Sequence, residues 1–251
     1  MPTSDLSSSR EGGAPGTNGT RLIVAERVTK TYASGTIRVE ALKDVTVTID
    51  RASFVSFIGP SGSGKTTLLN LIGALDRPTT GRLMVSDTDI GTLDRRSAAA
   101  FRGRTIGFIF QEFNLIPVLT AYENVEYPLL LVQRVGAAER RRRVLTLLEA
   151  VGVSDQRDKY PDQLSGGQKQ RIAVARALVT NPQLVLADEP TANLDHANAS
   201  LVLTTMRRLR DTLGTTFIFS THDPRVMAEA EVVFHLEDGR LVPRRTAGAA
   251  A

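Results

Sequence analysis

The chain has 251 residues, a formal net charge of +4 and no cysteine. That length buries a full core and is most simply one domain with room for an inserted subdomain, while the lack of cysteine excludes a disulfide framework and a thiolate metal site. No apolar run approaches the roughly 20 residues of a bilayer-crossing helix, and the mild basic charge is too weak to argue by itself for a nucleic-acid partner.

Residues 1–20, rich in Ser, Gly, Pro and Thr without an apolar h-region, read as a disordered tail and not as a signal peptide. Residues 244–251 read as a flexible tail. Arg21 to Val28 alternates and predicts an edge strand, Lys30-Thr31-Tyr32 opens a loop, and Ala41 to Ile49 predicts a half-exposed strand with Val45, Val47 and Ile49 on one face. Tyr32 is a candidate for stacking on a base, although a loop tyrosine more often packs.

Phe54 to Ile58 has the continuous apolar character of a buried strand, and it feeds Gly59-Pro60-Ser61-Gly62-Ser63-Gly64-Lys65-Thr66 ahead of an apolar-faced helix. The spacing G-x-x-x-x-G-K-T is matched residue for residue in the strand–turn–helix setting of a P-loop. Glycines there let successive backbone N–H groups surround a β-phosphate at a helix N-terminus, Lys65 reaches the β- and γ-phosphates, and the Thr66 hydroxyl suits Mg²⁺.

Further along, Asp76 to Gly81 is a turn, Arg82 to Val85 a short strand and Arg95 to Arg102 the centre of a helix. Thr105 to Phe110 predicts a buried strand that ends on Gln111, at the end of a parallel strand where such sheets bind ligands. From Thr120 to about Gly152 the period is helical, with a capping box at Thr120–Glu123 and an amphipathic helix from Ala137 to Val151 whose Arg140–Arg143 run reads as a solvated face. A helical unit of about residues 112–165 is therefore inserted between two parts of the sheet. Ser165 caps the helix Gly166 to Val179, and Leu164-Ser165-Gly166-Gly167-Gln168 is a second anion-binding helix start. Leu184 to Ala187 predicts a strand ending in Asp188-Glu189, whose side chains diverge by the period of two. Asp188 is expected on the Mg²⁺ hydration shell and Glu189 beyond the γ-phosphate, accepting a proton from water. Asn193-Leu194-Asp195 starts a helix to about Leu213, and the strand Thr215 to Thr221 delivers His222 to the same rim; His196 and His235 read as surface and strand positions.

In order and rough spacing these motifs resemble those of an ABC-type ATPase subunit, from about Leu22 to Val242, the most specific being Leu164–Gln168 ahead of Arg171 to Leu178. Leu71–Asp76, Ile106–Pro117 and Leu119–Val125 are similar to the macrolide-export and lipoprotein-release branch. The resemblance implies an α/β fold spanning 21–243: a P-loop ABC-type domain, with a RecA-like core, an N-terminal antiparallel β subdomain and an inserted α-helical subdomain. It further implies a head-to-tail homodimer with ATP and Mg²⁺ at two sites. In each, Gly59, Pro60, Ser61, Gly62, Ser63, Gly64, Lys65, Thr66 and Thr67 of one chain hold the phosphates, and Ser165, Gly166, Gly167 and Gln168 of the other cover them. By the same resemblance Tyr32 stacks on adenine, Thr66, Gln111 and Asp188 serve the metal, and Lys65, Gln111, Glu189 and His222 are catalytic. Glu189 is then the general base, His222 contacts the γ-phosphate and Asp195 helps join the two sites.

The implied partner is an integral-membrane permease of the long-extracytoplasmic-domain type, which would hold the chain at the cytoplasmic face of the cell membrane. ATP hydrolysis would power export or membrane extraction of an amphipathic substrate. A non-transporting regulator of a membrane protein is the alternative within that reading; a soluble ABC ATPase of DNA repair or translation fits less well, because the insert is short, cysteine is absent and there is one such domain. Three positions depart from the usual pattern: Ala52-Ser53 stands for Gly-Glu, Asp87 for a turn glycine and Ala192 for the glycine after Thr191. The first two are expected to affect turns, the third the rate.

Overall fold

The computed structural model describes residues 20–221, 227 and 229–242. Among these residues two sheets are built from ten strands. Strands β1 (Arg21–Ser34), β2 (Ile37–Asp50), β4 (Thr80–Val85) and β5 (Thr88–Asp89) form an antiparallel sheet in the order β2-β1-β4-β5. Strands β3 (Phe54–Ile58), β6 (Ile106–Ile109), β7 (Leu184–Asp188), β8 (Thr216–Thr221), β9 (Val232–Glu237) and β10 (Arg240–Val242) form the second, in the order β10-β9-β3-β8-β7-β6. Every pair in it is parallel except β10 with β9. The longer helices among the described residues are α1 (Lys65–Ile72), α2 (Arg95–Thr105), α3 (Ala121–Pro128), α4 (Ala137–Ala150), α5 (Gly166–Leu178) and α6 (His196–Leu213).

The parallel strands read as unbroken apolar runs because both faces are covered. Their period of two divides the core: Phe54, Val185, Ala187, Phe217 and Phe219 pack with α3–α6, while Val55, Phe57, Leu184, Leu186 and Ile218 pack with α1, α2 and the antiparallel sheet. Phe54 anchors the first side, its ring 4.9 Å from that of Phe219 and 5.8 Å from that of Phe217. The site is thus carried on a sheet that can neither tilt nor slide without opening one of two cores.

Strand β1 differs from the sequence expectation. It is not an edge but lies between β2 and β4, and it runs on through Lys30-Thr31-Tyr32, where a loop was expected. The reason is a series of register shifts after Ala25, with Arg27 at φ 49, that breaks the alternation without ending the pairing. On β2, Val45, Val47 and Ile49 are buried between exposed neighbours, as their spacing predicts.

Two of the three unusual positions carry strain. Ala52 (φ 56) and Asp87 (φ 61) are left-handed, where a side chain costs about 1–2 kcal/mol relative to glycine. Ala192 is outside that region, so the missing glycine costs its backbone nothing there.

Between β6 and β7 the chain is helical. Thr120 and Glu123 close the expected capping box on α3, Glu123 N–H donating to Thr120 Oγ1 at 3.2 Å and Thr120 N–H to Glu123 Oε2 at 2.8 Å. Asn124, fully buried, accepts from Ile116 N–H at 2.7 Å and donates to the carbonyls of Ile116, Leu119 and Thr120, which fixes the approach to the helix. Val144, Leu147 and Leu148 are the buried face of α4. The arginine run is more than a solvated face: Arg140 pairs with Glu126 of α3 at 2.9 Å, and Arg142 and Arg143 both pair with Glu139.

Candidate nucleotide site

Parallel register brings the polar strand ends together. Ile58 of β3 lies opposite Thr221 of β8, Asp188 of β7 opposite Ser220, and Ile109 of β6 opposite Ala187. The P-loop, the Asp188-Glu189 pair and Gln111 therefore leave the sheet at one carboxyl rim, where open α/β sheets bind ligands. His222 lies outside the described residues.

The P-loop glycines have separate reasons. A Cβ on Gly59 would lie 2.0 Å from the Leu236 carbonyl oxygen, and one on Gly64 (φ 104) 2.6 Å from that of Ala41, so backbone packing excludes side chains at both. Gly62 (φ 79) has no atom of the described residues within 4 Å of such a Cβ and is the open side of the cradle. Ser63 N–H donates to Pro60 O at 3.2 Å, curling the loop, while Pro60 and Ser61 are exposed at its lip. Gly64, the N-cap of α1, offers no capping side chain, and the first N–H groups of a helix have no carbonyl behind them. The Lys65 ammonium, on a residue only 9% exposed, donates to the carbonyls of Gly59 at 2.8 Å and Pro60 at 3.0 Å. A cation is folded against a ring of open N–H donors, the makings of a phosphate site.

Thr66 and Asp188, 122 positions apart, meet there: Thr66 Oγ1 is 3.1 Å from Asp188 Oδ2. The Ser220 hydroxyl donates to the other oxygen of Asp188 and orients it. A hydroxyl beside a carboxylate is a hard-oxygen donor set suited to Mg²⁺. Among the described residues no group of three His, Cys, Asp or Glu side chains could hold a metal, so a cation at this pair would take the rest of its shell from water or a ligand.

Glu189 does not continue the pleat. Its φ of 47 is left-handed, and its N–H reaches Ser220 O at 3.2 Å and Ser220 Oγ at 3.3 Å. A backbone kink, rather than the strand's period of two, separates its direction from that of Asp188. The Gln111 carbonyl accepts from Asn193 Nδ2 at 3.0 Å, which ties the end of β6 to the segment leading into α6.

Tyr32 is 41% exposed and sits close to the start of α1: its hydroxyl donates to Asp76 Oδ2 at 2.9 Å, and Lys30 Nζ lies 4.9 Å from its ring centroid. Partial burial raises the phenol's pKa, helped by the bond to Asp76. Burial also pushes the Asp76 carboxyl up, but the Lys30 ammonium at 2.6 Å, the Arg77 N–H and the Tyr32 hydroxyl outweigh it and hold Asp76 below its ordinary 3.8. One face of an exposed ring is thus held in place while the phenol end is braced.

The second helix start is built differently. Ser165 and Gln168 form a reciprocal capping box, Gln168 N–H to Ser165 Oγ at 3.3 Å and Ser165 N–H to Gln168 Oε1 at 2.8 Å. That leaves the N–H groups of Gly166 and Gly167, which come too early in the helix to reach a carbonyl behind them. The atoms nearest a side chain at either glycine belong to Asn193, Leu194, Phe113 and Asn198, none to the P-loop. Asp195 caps α6 by accepting from Asn198 N–H at 2.9 Å and Asn198 Nδ2 at 2.7 Å, and these bonds hold its carboxyl below the ordinary value.

Ser220, Asp76 and Asn198 were not singled out from sequence. Ser220 could have been found by aligning the ends of β7 and β8; the other two had no local signal.

A phosphate cradle with a folded-in lysine, set against a hydroxyl–carboxylate pair on the rim of a parallel sheet, defines a P-loop nucleotide-binding domain. The family model described as "ABC transporter" matches residues 42–192. The chain belongs to that family as its ATP-binding domain, and it is an ATPase. It is 42% identical to the lipoprotein-releasing system ATP-binding protein LolD of Bordetella avium, over 87% of this chain and 95% of that one. It is 44% identical to the macrolide export ATP-binding/permease protein MacB of Syntrophobacter fumaroxidans, over 88% of this chain but only 31% of that protein. A solved structure, the dimeric post-hydrolysis state of the Methanocaldococcus jannaschii cassette MJ0796 bound to ADP and Pi, superposes with a TM-score of 0.81 at 42% identity, covering 88% of this chain and 97% of that one.

Proposed function

We propose that two copies of this chain close head to tail around two ATP molecules, each with Mg²⁺, and drive a membrane permease. The observation that carries this reading is the split between the two helix starts. The P-loop start has a folded-in lysine and a metal-suited pair but is open on one side; the α5 start has N–H donors with no carbonyl behind them and, among the described residues, no such pair beside them. Each supplies what the other lacks, and the solved MJ0796 cassette is described as dimeric with ADP and Pi.

In this reading Gly59 to Thr67 hold the phosphates, Lys65 swings from the loop carbonyls to the β- and γ-phosphates, and Tyr32 stacks on adenine. Thr66, Asp188 and Gln111 serve Mg²⁺, which supplies charge neutralisation on the phosphate oxygens when bound. Glu189 takes the proton of the attacking water, His222 contacts the γ-phosphate, Ser165 to Gln168 of the second copy cover it, and Asp195 lies where the copies meet. Closure is favoured only while the γ-phosphate is present. Moving such an equilibrium from mostly open to mostly closed takes about 5.5 kcal/mol of differential binding, within reach of charge-assisted contacts at two sites.

The permease side also has support. The MacB relative is a fused ATP-binding and permease protein of which this chain matches only the smaller part. Tyr127, Leu130, Leu131 and Val132 are exposed apolar residues at the end of α3 and the π turn after it, Leu131 at 63%. Val132 borders an apolar groove of about 250 Å³ that is also lined by Phe108, Phe110 and Pro128. A permease seated there would lie next to Gln111. Its partner is then a permease with a long extracytoplasmic domain, the chain sits at the cytoplasmic face of the membrane, and the cargo is an amphipathic molecule such as a drug, peptide or lipoprotein.

The test is Glu189→Gln. Turnover is expected to fall by at least about a hundredfold, with ATP binding kept and an ATP-dependent dimer accumulating in light scattering. Wild-type turnover in this variant removes Glu189 as the base, and absence of any ATP-dependent dimer removes the sandwich.

A further inference from the structure

Helix α5 does more than present its N-terminus. One turn beyond Gly166, Gln170 is completely buried and its Nε2 donates to the Pro190 carbonyl at 2.6 Å. Proline has no N–H, so this carbonyl is the only backbone hydrogen-bonding group by which the residue after Glu189 can be held. On the other side, Ser220 holds the Glu189 N–H at 3.2 Å. Between these anchors Glu189 is left-handed at φ 47, a conformation that persists only where the surroundings over-determine it.

The rest of the Gln170 amide argues for the same purpose. Its Oε1 is buried with no hydrogen-bond partner among the described residues. An unmet buried acceptor is unfavourable, and an apolar side chain of similar size would fill the space without it. The single bond to Pro190 is what the amide contributes.

We propose that Gln170 is a positioning residue for ATP hydrolysis, tying the helix that starts at Gly166 to the backbone that aims Glu189 in the same chain. This rests on Glu189 as the general base. Since residues one turn ahead of Gln170 cover the second copy's nucleotide in that reading, closure over the second copy's site and alignment of the base at this chain's own site share one helix.

The test compares Gln170→Leu and Gln170→Glu in the full chain with ATP and Mg²⁺. Gln170→Leu is expected to lower kcat by about tenfold or more, with KM for ATP changed less than about twofold, because the loss is one of alignment; Gln170→Met is the substitute if the leucine variant does not fold. Added to Glu189→Gln, it is expected to lower turnover no further and to leave the ATP-dependent dimer intact, since both changes act through one group.

Gln170→Glu supplies a signature that a packing role would not. Its buried carboxylate would repel the Pro190 carbonyl, while the protonated acid can donate to it, and burial raises the pKa of such a group. Its kcat relative to wild type is expected to climb as pH is lowered from about 8 to about 6. Wild-type kcat in Gln170→Leu, a loss that multiplies that of Glu189→Gln, a weakened dimer, or a pH-independent ratio for Gln170→Glu each overturns the tether. Normal turnover in Glu189→Gln alongside a deficit in Gln170→Leu instead brings down the base assignment, and with it the tether's target.

Discussion

The two glycine-bearing helix starts, Gly59–Thr66 before α1 and Leu164–Gln168 before α5, share a composition and little else. In the first, the glycines at 59, 62 and 64 all have positive φ, and two are pressed against neighbouring carbonyls of the same chain. In the second, neither glycine has positive φ, and the flanking Ser165 and Gln168 satisfy each other. The first is a pocket whose shape is fixed by its own chain; the second is a flat, capped helix end that closes nothing by itself. Glycine is needed for curvature in the first; in the proposed sandwich it serves access in the second.

That contrast is best broken at Gly166. A Cβ there would meet Leu194 at 3.5 Å and Asn193 O at 3.6 Å, ordinary contacts, and an acidic residue in the first turn of a helix is favourable for the isolated chain. Gly166→Asp is therefore expected to fold normally and bind ATP within about twofold of wild type, yet to lose the ATP-dependent dimer of the Glu189→Gln background by about a hundredfold or more, because two like charges would be forced together. Equal loss of monomer affinity would mean that this helix start belongs to its own chain's pocket. Normal dimers would mean it faces no phosphate at all.

Gly167 sharpens the comparison from inside. A Cβ there would lie 2.2 Å from Asn198 Oδ1, and the Asn198 amide is held in turn by Asp195 at 2.7 Å. Access is then not the only demand on this glycine; it also lets α5 lie against the start of α6. Gly167→Ala is expected to destabilise the chain by about 1–3 kcal/mol through overpacking, read as a lower Tm, and adding Asn198→Ala is expected to recover part of the loss. Additive losses would show that the two residues do not compete for the same space.

Motifs whose chemistry is local were legible in the sequence. The P-loop, the capped start of α5 and the polar ends of β6 and β7 carry their residues within a few positions, and the α/β fold came with the family resemblance that those motifs carry. What escaped was set by pairing across the chain. Bulges at Arg27 and beyond hide the period of β1, so its alternation alone predicts an edge, although hydrogen bonds to both neighbours continue. Glu189 was aimed by a pleat it does not follow, since nothing in Asp188-Glu189-Pro190 announces a left-handed residue. Ser220 and Gln170 look like ordinary members of a buried strand and helix, and only the fold shows Ser220 bonded to the Glu189 N–H and Gln170 to the Pro190 carbonyl that follows it.

The Tyr32 brace yields the smallest effect and the one that separates charge from geometry. Asp76 joins Tyr32 from 44 positions away, with Lys30 completing the group. Asp76→Asn keeps an acceptor for the phenol but removes the charge opposite Lys30, so ATP affinity is expected to weaken by about threefold or less and stability by at most about 1 kcal/mol, the usual range for a partly exposed pair. The sign of the pH dependence follows from the direction of the shift. Asp76 is depressed below 3.8 in the folded chain, so its stabilisation is complete above that value and is lost as pH falls through the lower folded pKa. The Tm gap between wild type and Asp76→Asn should accordingly be widest near neutrality and narrow in acid below about 3.8. A gap that stays constant with pH would assign the brace to the shape of the side chain, leaving Tyr32 held by packing and the charge on Lys30 free to meet a nucleotide.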